Sequence, residues 1–322
     1  MRQLSKQIDL RRLSSIGFIL LFLITSNTAG VAQEKDPTDV IKVNTDLVVF
    51  DVQVIDKKTK TVLTDLTEAD FEIFDRGTKQ TVSYFSHDEL PLSIMPLLDV
   101  SDSVRPFIRR IRDGALDALR QLKAEDQVAV MAFATTSELV QDFTTDRNLV
   151  ATQVAAATSG DKLGTQTGFA AAMDNAAVRM LNSPTGNRSV IIVITDNFFY
   201  TSPYQEKLIL SDLFQSGSVV YGLLVNTSNP YASLNGSYHR GVDRYVEQTG
   251  GEVVASKDKD VAGKLALLID HLRLRYAIGF RPTDNSDDNK FRSVEIKIAA
   301  NQGKDKKVVL TRRGYYFRRR SS

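Results

Sequence analysis

Apolar positions along this chain change their period twice. From Leu47 to Val54 they run almost continuously and are rich in β-branched residues, which predicts a strand. Thr61–Leu63, Phe71–Phe74 and Val82–Phe85 read as shorter strands, with Asp75-Arg76-Gly77 as a hairpin turn. Beyond Leu92 the pattern alternates between two kinds of segment. Short apolar runs at 93–98, 128–133, 190–195, 219–225 and 252–255 predict buried strands, and 139–143 predicts an edge strand. Between them, Val104, Phe107, Ile108, Ile111, Ala115, Leu119 and Leu122 recur at helical spacing, with Ser103 as the expected N-cap. Further helices are predicted at 148–157, 169–181, 205–215, 242–249 and 261–272. After Arg273 strands return at 276–280, 294–298 and 308–311, and Gly314-Tyr315-Tyr316-Phe317 reads as the end of the last one.

Apolar strands separated by helices require a mostly parallel sheet covered on both faces, an α/β class with Rossmann-like layering. The β segments on either side have too few strands each to bury both faces alone. They are expected to combine into one small β-sandwich, with the α/β domain inserted between them. The divisions are 1–32, 33–41 as a flexible leader, 42–90 as an N-terminal β segment, 91–273 as the α/β domain, 274–318 as a C-terminal β segment and 319–322 as a basic tail.

The first 32 residues change the picture of location. A basic stretch ending at Arg11-Arg12, an apolar run from Ile16 to Ile24 and a small-residue end at Gly30-Val31-Ala32 follow the order of a secretory signal peptide. The apolar run is short for a membrane span, so an exported protein is expected, without a stable span after signal removal. The formal charge is +2, and residues 1–32 carry more than all of that excess, Arg2, Lys6, Arg11 and Arg12 standing against Asp9 alone. The remainder is near neutral, which gives no electrostatic reason to bind nucleic acid. The chain has no Cys and only three His, His87, His239 and His271, widely scattered. A disulfide framework, a thiolate metal site and a Cys nucleophile are excluded. Any metal must be held by oxygen.

Oxygen donors do cluster in the pattern. Asp99-Val100-Ser101-Asp102-Ser103 falls directly after the first strand of the α/β region. Gly164-Thr165-Gln166-Thr167-Gly168 precedes a helix, and Ile194-Thr195-Asp196 ends the most apolar strand. In an open α/β sheet all three lie beyond the carboxyl ends of the strands, where ligands bind. Hard cations such as Mg²⁺ take such ligands, about six in octahedral array, several of them usually water.

Asp-x-Ser-x-Ser, then Thr, then Ile-Thr-Asp, in this order, resembles the metal-ion-dependent adhesion site (MIDAS) of von Willebrand factor type A (VWA) domains. The resemblance implies Asp99, Ser101, Ser103, Thr165 and Asp196 as the metal set, Mg²⁺ (or Mn²⁺ or Ca²⁺) as the ion, and a protein partner that completes the shell with an Asp or Glu carboxylate. Asp102 and Thr167 are candidates close to the metal. Phe198, Phe199, Tyr200 and His239, the last in a long loop at 226–240, are candidates for a contact rim. Two positions depart from the family pattern: Asp102 stands where Gly is usual between the serines, and Asn197 where Gly often follows Ile-Thr-Asp. Leu66-Thr67-Glu68-Ala69-Asp70-Phe71, Asp75-Arg76-Gly77, Tyr276–Pro282 and Arg313-Gly314-Tyr315-Tyr316 also resemble an exported VWA-related family known from acidobacteria.

Three function classes compete. The first is an exported, metal-dependent adhesion or interaction module, without enzymatic activity. The second is a metal-free scaffold with a degenerate site. The third is a metal-dependent hydrolase, against which stands the lack of a His near the motifs and of a Gly-x-Ser-x-Gly elbow. Asp142 and Asp146 have no base in the pattern to pair with.

Overall fold

Three sheets organise the computed structural model, which describes residues 47–199, 201–225, 241–256, 260–284, 286, 290–299 and 306–316. All of them belong to one compact unit, Thr45–Ser322. The N-terminal export pattern, the leader, Tyr200, His239 and the 226–240 loop lie outside the described residues.

The central sheet is built from β5 (Leu92–Asp99), β6 (Gln127–Phe133), β7 (Ser137–Thr144), β8 (Arg188–Thr195), β9 (Val219–Val225) and β10 (Val253–Ser256). Its order is β10-β9-β8-β5-β6-β7. Every neighbouring pair is parallel except β6 and β7, which run antiparallel. The apolar run at β8 is buried at all of its positions because it sits mid-sheet with helices on both faces. The more polar β7, with no fully buried position, takes the edge.

Helices α1 (Ile108–Leu119), α2 (Arg147–Ala157) and α6 (Val261–Arg273) contribute Ile111, Val150, Val154, Leu265 and Leu268 to one apolar layer against the sheet. Helices α3 (Phe169–Met180), α4 (Pro203–Ser216) and α5 (Val242–Thr249) supply Phe169, Met173, Leu213 and Tyr245 to the layer on the other face.

The flanking strands form two four-stranded sheets. One has the order β13-β1-β11-β4, from Lys307–Leu310, Val48–Asp56, Tyr276–Phe280 and Val82–Ser86. The other is β14-β12-β2-β3, from Gly314–Tyr316, Phe291–Ile298, Phe71–Asp75 and Thr78–Gln80. Each sheet draws strands from both ends of the chain. Phe50, Val52, Ile73, Ile278, Phe280, Ile296 and Tyr315 share one core between them, so the expected β-sandwich forms. Strict alternation of exposed and buried positions along β12 matches a strand with one face on that core.

Three local expectations are corrected. Thr61–Leu63 is not a strand but makes a single bridge, Ile55 to Val62. Gly314–Tyr316 does not continue β13; it joins the opposite sheet against β12. The chain is turned between them by Arg312, whose guanidinium donates to the carbonyls of Phe214 and Val49, and by Arg313, whose amide donates to Gln248 O. Ser103 does not cap a helix. The chain there enters a short 3₁₀ turn, Arg105–Phe107, whose entry is secured by Ser101 O accepting from the amides of Val104 and Arg105. Asp146, by contrast, caps α2 by accepting from the amides of Asn148 and Leu149.

Candidate metal centre

The three oxygen-bearing loops meet at the carboxyl edge of the central sheet. Pairing of β5 with β8 sets Leu98 beside Ile194, so Asp99 and Thr195 leave the sheet side by side. Asp99 is fully buried. Its Oδ1 accepts from the amide of Ser101 at 3.0 Å and from the Ser101 hydroxyl at 2.6 Å. Its Oδ2 accepts from the Thr195 hydroxyl at 2.6 Å. The Ser101 and Ser103 hydroxyls lie 3.3 Å apart. Thr165 is carried to the same place by its carbonyl, which accepts from the amide of Asp102 at 3.0 Å.

The loop holding Thr165 and Thr167 packs against the β6–β7 turn. The amide of Gln166 donates to Thr135 Oγ1 and that of Gly168 to Ala134 O. Gly168 is required by this approach, since a Cβ there would stand 2.6 Å from the Thr135 carbonyl oxygen. Thr165 and Ser103 are exposed and Thr167 is half-buried, so these hydroxyls line the outer side of a site whose floor is Asp99 and Ser101.

Asp196 closes the set. Its Oδ1 accepts from the amide of Phe198 at 3.2 Å. Its Oδ2 is buried and has no hydrogen-bond partner among the described residues. A buried, unpaired carboxylate oxygen is costly unless something else satisfies it. Burial is also the largest influence on Asp99, raising its pKa from 3.8 to about 6; the Ser101 and Thr195 hydrogen bonds pull it down and the Asp196 charge pushes it up. Two carboxylates close enough to repel one another thus share a loop cluster with hydroxyls as their neighbours. A divalent cation fits this donor set, all of it hard oxygen. Among the described residues no group of three or more His, Cys, Asp or Glu side chains gathers in a metal-holding arrangement. The cluster relies on Ser and Thr for the rest of its donors.

The two departures from the family pattern have distinct structural fates. The Asp102 carboxylate is exposed and pairs with Arg105 Nε at 3.0 Å, so it does not join the Asp99–Ser101 hydrogen-bond set. Asn197 adopts φ +61°, a left-handed conformation that Gly takes freely and Asn tolerates. Its amide donates to Thr195 Oγ1 at 3.1 Å, its Oδ1 accepts from the amide of Val242 at 3.0 Å, and its Nδ2 donates to Asp243 Oδ2 at 3.0 Å. It ties the Asp196 loop to the start of α5.

Among the rim candidates, Phe198 is 37% exposed. Phe199 is not on the rim. It stacks on Phe169 with ring centroids 3.8 Å apart and is buried in the helix-side core, because the chain alternates sides after leaving β8. Asp142 pairs with Arg179 on the far side of β7, and Asp146 is spent on its cap. The roles of Thr195 and Arg105 were not reached by sequence reasoning, and Asn197 was noted there only as a departure from the pattern. Thr195 lay inside a recognised motif, but its bond to Asp99 joins residues 96 apart and needs the strand pairing to be seen.

Residues 94–198, a stretch containing Asp99, Ser101, Ser103, Thr165 and Asp196, match the family model of the von Willebrand factor type A domain. The match reaches the wider domain type, not the narrower family known from acidobacteria. Similar solved structures include BatB from Bacteroides thetaiotaomicron, 17% identical over 56% of this chain and 98% of that one, with a TM-score of 0.45. The von Willebrand factor type A protein from Catenulispora acidiphila is 11% identical over 71% of this chain and 50% of its own, with a TM-score of 0.44. Proximal thread matrix protein 1 of the mussel byssus, solved with a zinc-occupied MIDAS motif, is 14% identical over 62% of this chain and 49% of its own, with a TM-score of 0.46. A search of curated proteins finds no match.

Proposed function

We propose that the chain, which matches the von Willebrand factor type A domain over residues 94–198, is an exported protein-binding module that docks its partner through a divalent cation. The observation that carries this reading is the buried, unpartnered Oδ2 of Asp196 beside the fully buried carboxylate of Asp99. Asp99 and Asp196 would supply the negative charge, and Ser101, Ser103 and Thr165 the neutral oxygens. The bound ion, Mg²⁺ or Mn²⁺, would supply a Lewis-acid point that an Asp or Glu of the partner can join. This chain's residues orient the donors: Thr195 holds Asp99, and Asn197 holds the Asp196 loop through its left-handed turn.

Phe198 supplies exposed apolar surface next to Asp196, of the kind that contributes heavily at interfaces once buried. Asp102 lies clear of this docking point, held by Arg105. Binding rather than catalysis is supported by the neighbours of the carboxylates, which are hydroxyls and amides with no general base among them. Export rests on the basic, apolar, small-residue order of residues 1–32. Among the described residues no helix is long and apolar enough to cross a membrane.

The test is capture of envelope or secreted proteins on the immobilised chain, in Mg²⁺ and in chelator, with wild type and Ser101→Ala. A partner retained in Mg²⁺ and lost both in chelator and in Ser101→Ala supports the reading. A partner that survives both treatments contradicts metal-mediated docking. Turnover in a broad hydrolase screen that vanishes with Asp99→Ala would replace binding by catalysis.

A further inference from the structure

At the opposite edge of the central sheet, where β8 begins, the seam with the β-sandwich holds a cleft of about 160 Å³. Asp51, Asn187, Arg188, Ser189, Ser216 and Arg312 line it. Its charges do not balance. Asp51 is held from two sides, by Arg188 Nε at 2.9 Å and by Arg275 Nε at 3.3 Å. One carboxylate thus meets two guanidiniums before Arg312 is counted. The remaining hydrogen bonds of Arg188 and Arg275 go to the neutral groups of Leu272, Gly250, Gln53 and Tyr221, among others.

Arg312 has no carboxylate partner among the described residues. Its Nη1 donates to Phe214 O at 3.0 Å and its Nη2 to Val49 O at 2.8 Å. The guanidinium lies 4.5 Å from the centroid of the Phe50 ring. A guanidinium offers five N–H groups in a planar fork. The two carbonyls engage one hydrogen on each Nη, which leaves Nε and the other Nη hydrogens without an acceptor among the described residues, on a side chain that lines the cleft. Removal from bulk water lowers the pKa of Arg312 to about 10, in spite of the Asp51 charge nearby. Arg312 is half-buried and stacked on Phe50, and with no carboxylate partner for it among the described residues this seam carries an excess of positive charge on a cavity large enough for a small ion.

We propose that the seam cleft binds a small doubly charged oxyanion, a phosphate or a short dicarboxylate, that neutralises Arg312. Ser189 on the cleft wall adds a donor when Ser183 supplies the proton of the bond between their hydroxyls, while Ser216, whose hydroxyl donates to Leu213 O, shapes the wall. The Asp51 carboxylate does not bar an anion, since both of its oxygens already face guanidiniums. The ligand would bridge the lobes, because Arg312 belongs to the C-terminal flank and Ser189 and Ser216 to the α/β lobe. The site is remote from Asp99 and Asp196 and does not depend on the metal reading.

The test is calorimetric titration of the full chain with sodium phosphate and with disodium succinate, in chloride buffer of matched ionic strength and pH. Saturable binding of either anion at one site per chain is expected, with phosphate preference pointing to a phosphoryl source and succinate preference to a carboxylate one. Arg312→Gln should weaken it by about tenfold or more, the effect of losing a charged hydrogen-bond donor. Should that variant lose its fold with its carbonyl anchors, Ser216→Leu decides instead, since it fills the cleft and leaves the guanidinium in place. No saturable binding of either anion, or affinity unchanged in Ser216→Leu, overturns the proposal.

Discussion

Asp126 and Asp99, two fully buried carboxylates at opposite edges of the central sheet, are satisfied in opposite ways. Asp126, at the amino edge of the sheet, is completely buried and fully employed. It accepts from the amides of Leu92 and Lys123 and pairs with Arg273 at 2.6 Å. Asp51 likewise sits between Arg188 and Arg275. At the carboxyl edge, Asp99 is just as buried but meets only hydroxyls and one amide, and Asp196 keeps one buried oxygen with no partner. The fold supplies its own cations where carboxylates hold the structure together. At the carboxyl edge it leaves two carboxylates together without a protein cation, which is the observation behind the proposed metal site.

The comparison breaks most visibly at Asp126. Removing one partner of a buried ion pair leaves the other uncompensated, so Asp126→Ala should lose about 3–5 kcal/mol of unfolding free energy. Urea denaturation checks it, and a loss below about 1 kcal/mol would mean that the amino-edge pair is not structural.

The next effect is on pH dependence. Asp99 titrates at about 6 in the metal-free fold against an ordinary 3.8. Between those values the folded state binds more proton than the unfolded state, so Asp99's contribution to stability falls as pH rises from about 4 to about 6. Above that range the contribution is level. Urea midpoints across pH in chelator should show this slope for wild type and lose it in Asp99→Asn. The same slope in both proteins would remove Asp99 as its source.

Smaller still is the expected cost of Asp196→Asn without metal. Its Oδ2 makes no hydrogen bond that the change would break, so metal-free stability should stay within about 0.5 kcal/mol of wild type, in contrast to Asp126. A loss comparable with that of Asp126→Ala would show Asp196 to be structural. The smallest effect belongs to Asp102→Asn, which breaks an exposed pair with Arg105 worth about 0–1 kcal/mol. Cation affinity should not move. A clear fall would place the Asp102 carboxylate at the metal after all.

Much of this was legible in the chain because the α/β lobe is written in continuous apolar runs and helical periods, signals that need no distant partner to interpret. That Asp99, Ser101, Ser103, Thr165 and Asp196 come to one edge was legible because they fall at or just beyond strand ends or in the loops leading to helices, and the parallel sheet puts such loops on one edge. Long-range facts were not. That Thr195 reaches Asp99, that Asn197 braces α5 and that Arg312 anchors to Phe214 and Val49 depend on which strands pair. Whether Phe199 joins the rim or caps the core was left open by the sequence because three consecutive aromatics carry no period that tells the buried ring from the exposed one, and the structure puts it in the core. Gly314–Tyr316 was misassigned because a strand changing sheets leaves the same apolar trace as one continuing.

Calorimetric titration of Mg²⁺ into the metal-free chain and into Asp196→Asn tests the central claim most directly. The account predicts saturable binding of one ion per chain in wild type and its loss in the variant, with the metal-free fold of both intact by circular dichroism. Absence of binding in wild type, or equal binding in Asp196→Asn, would contradict it.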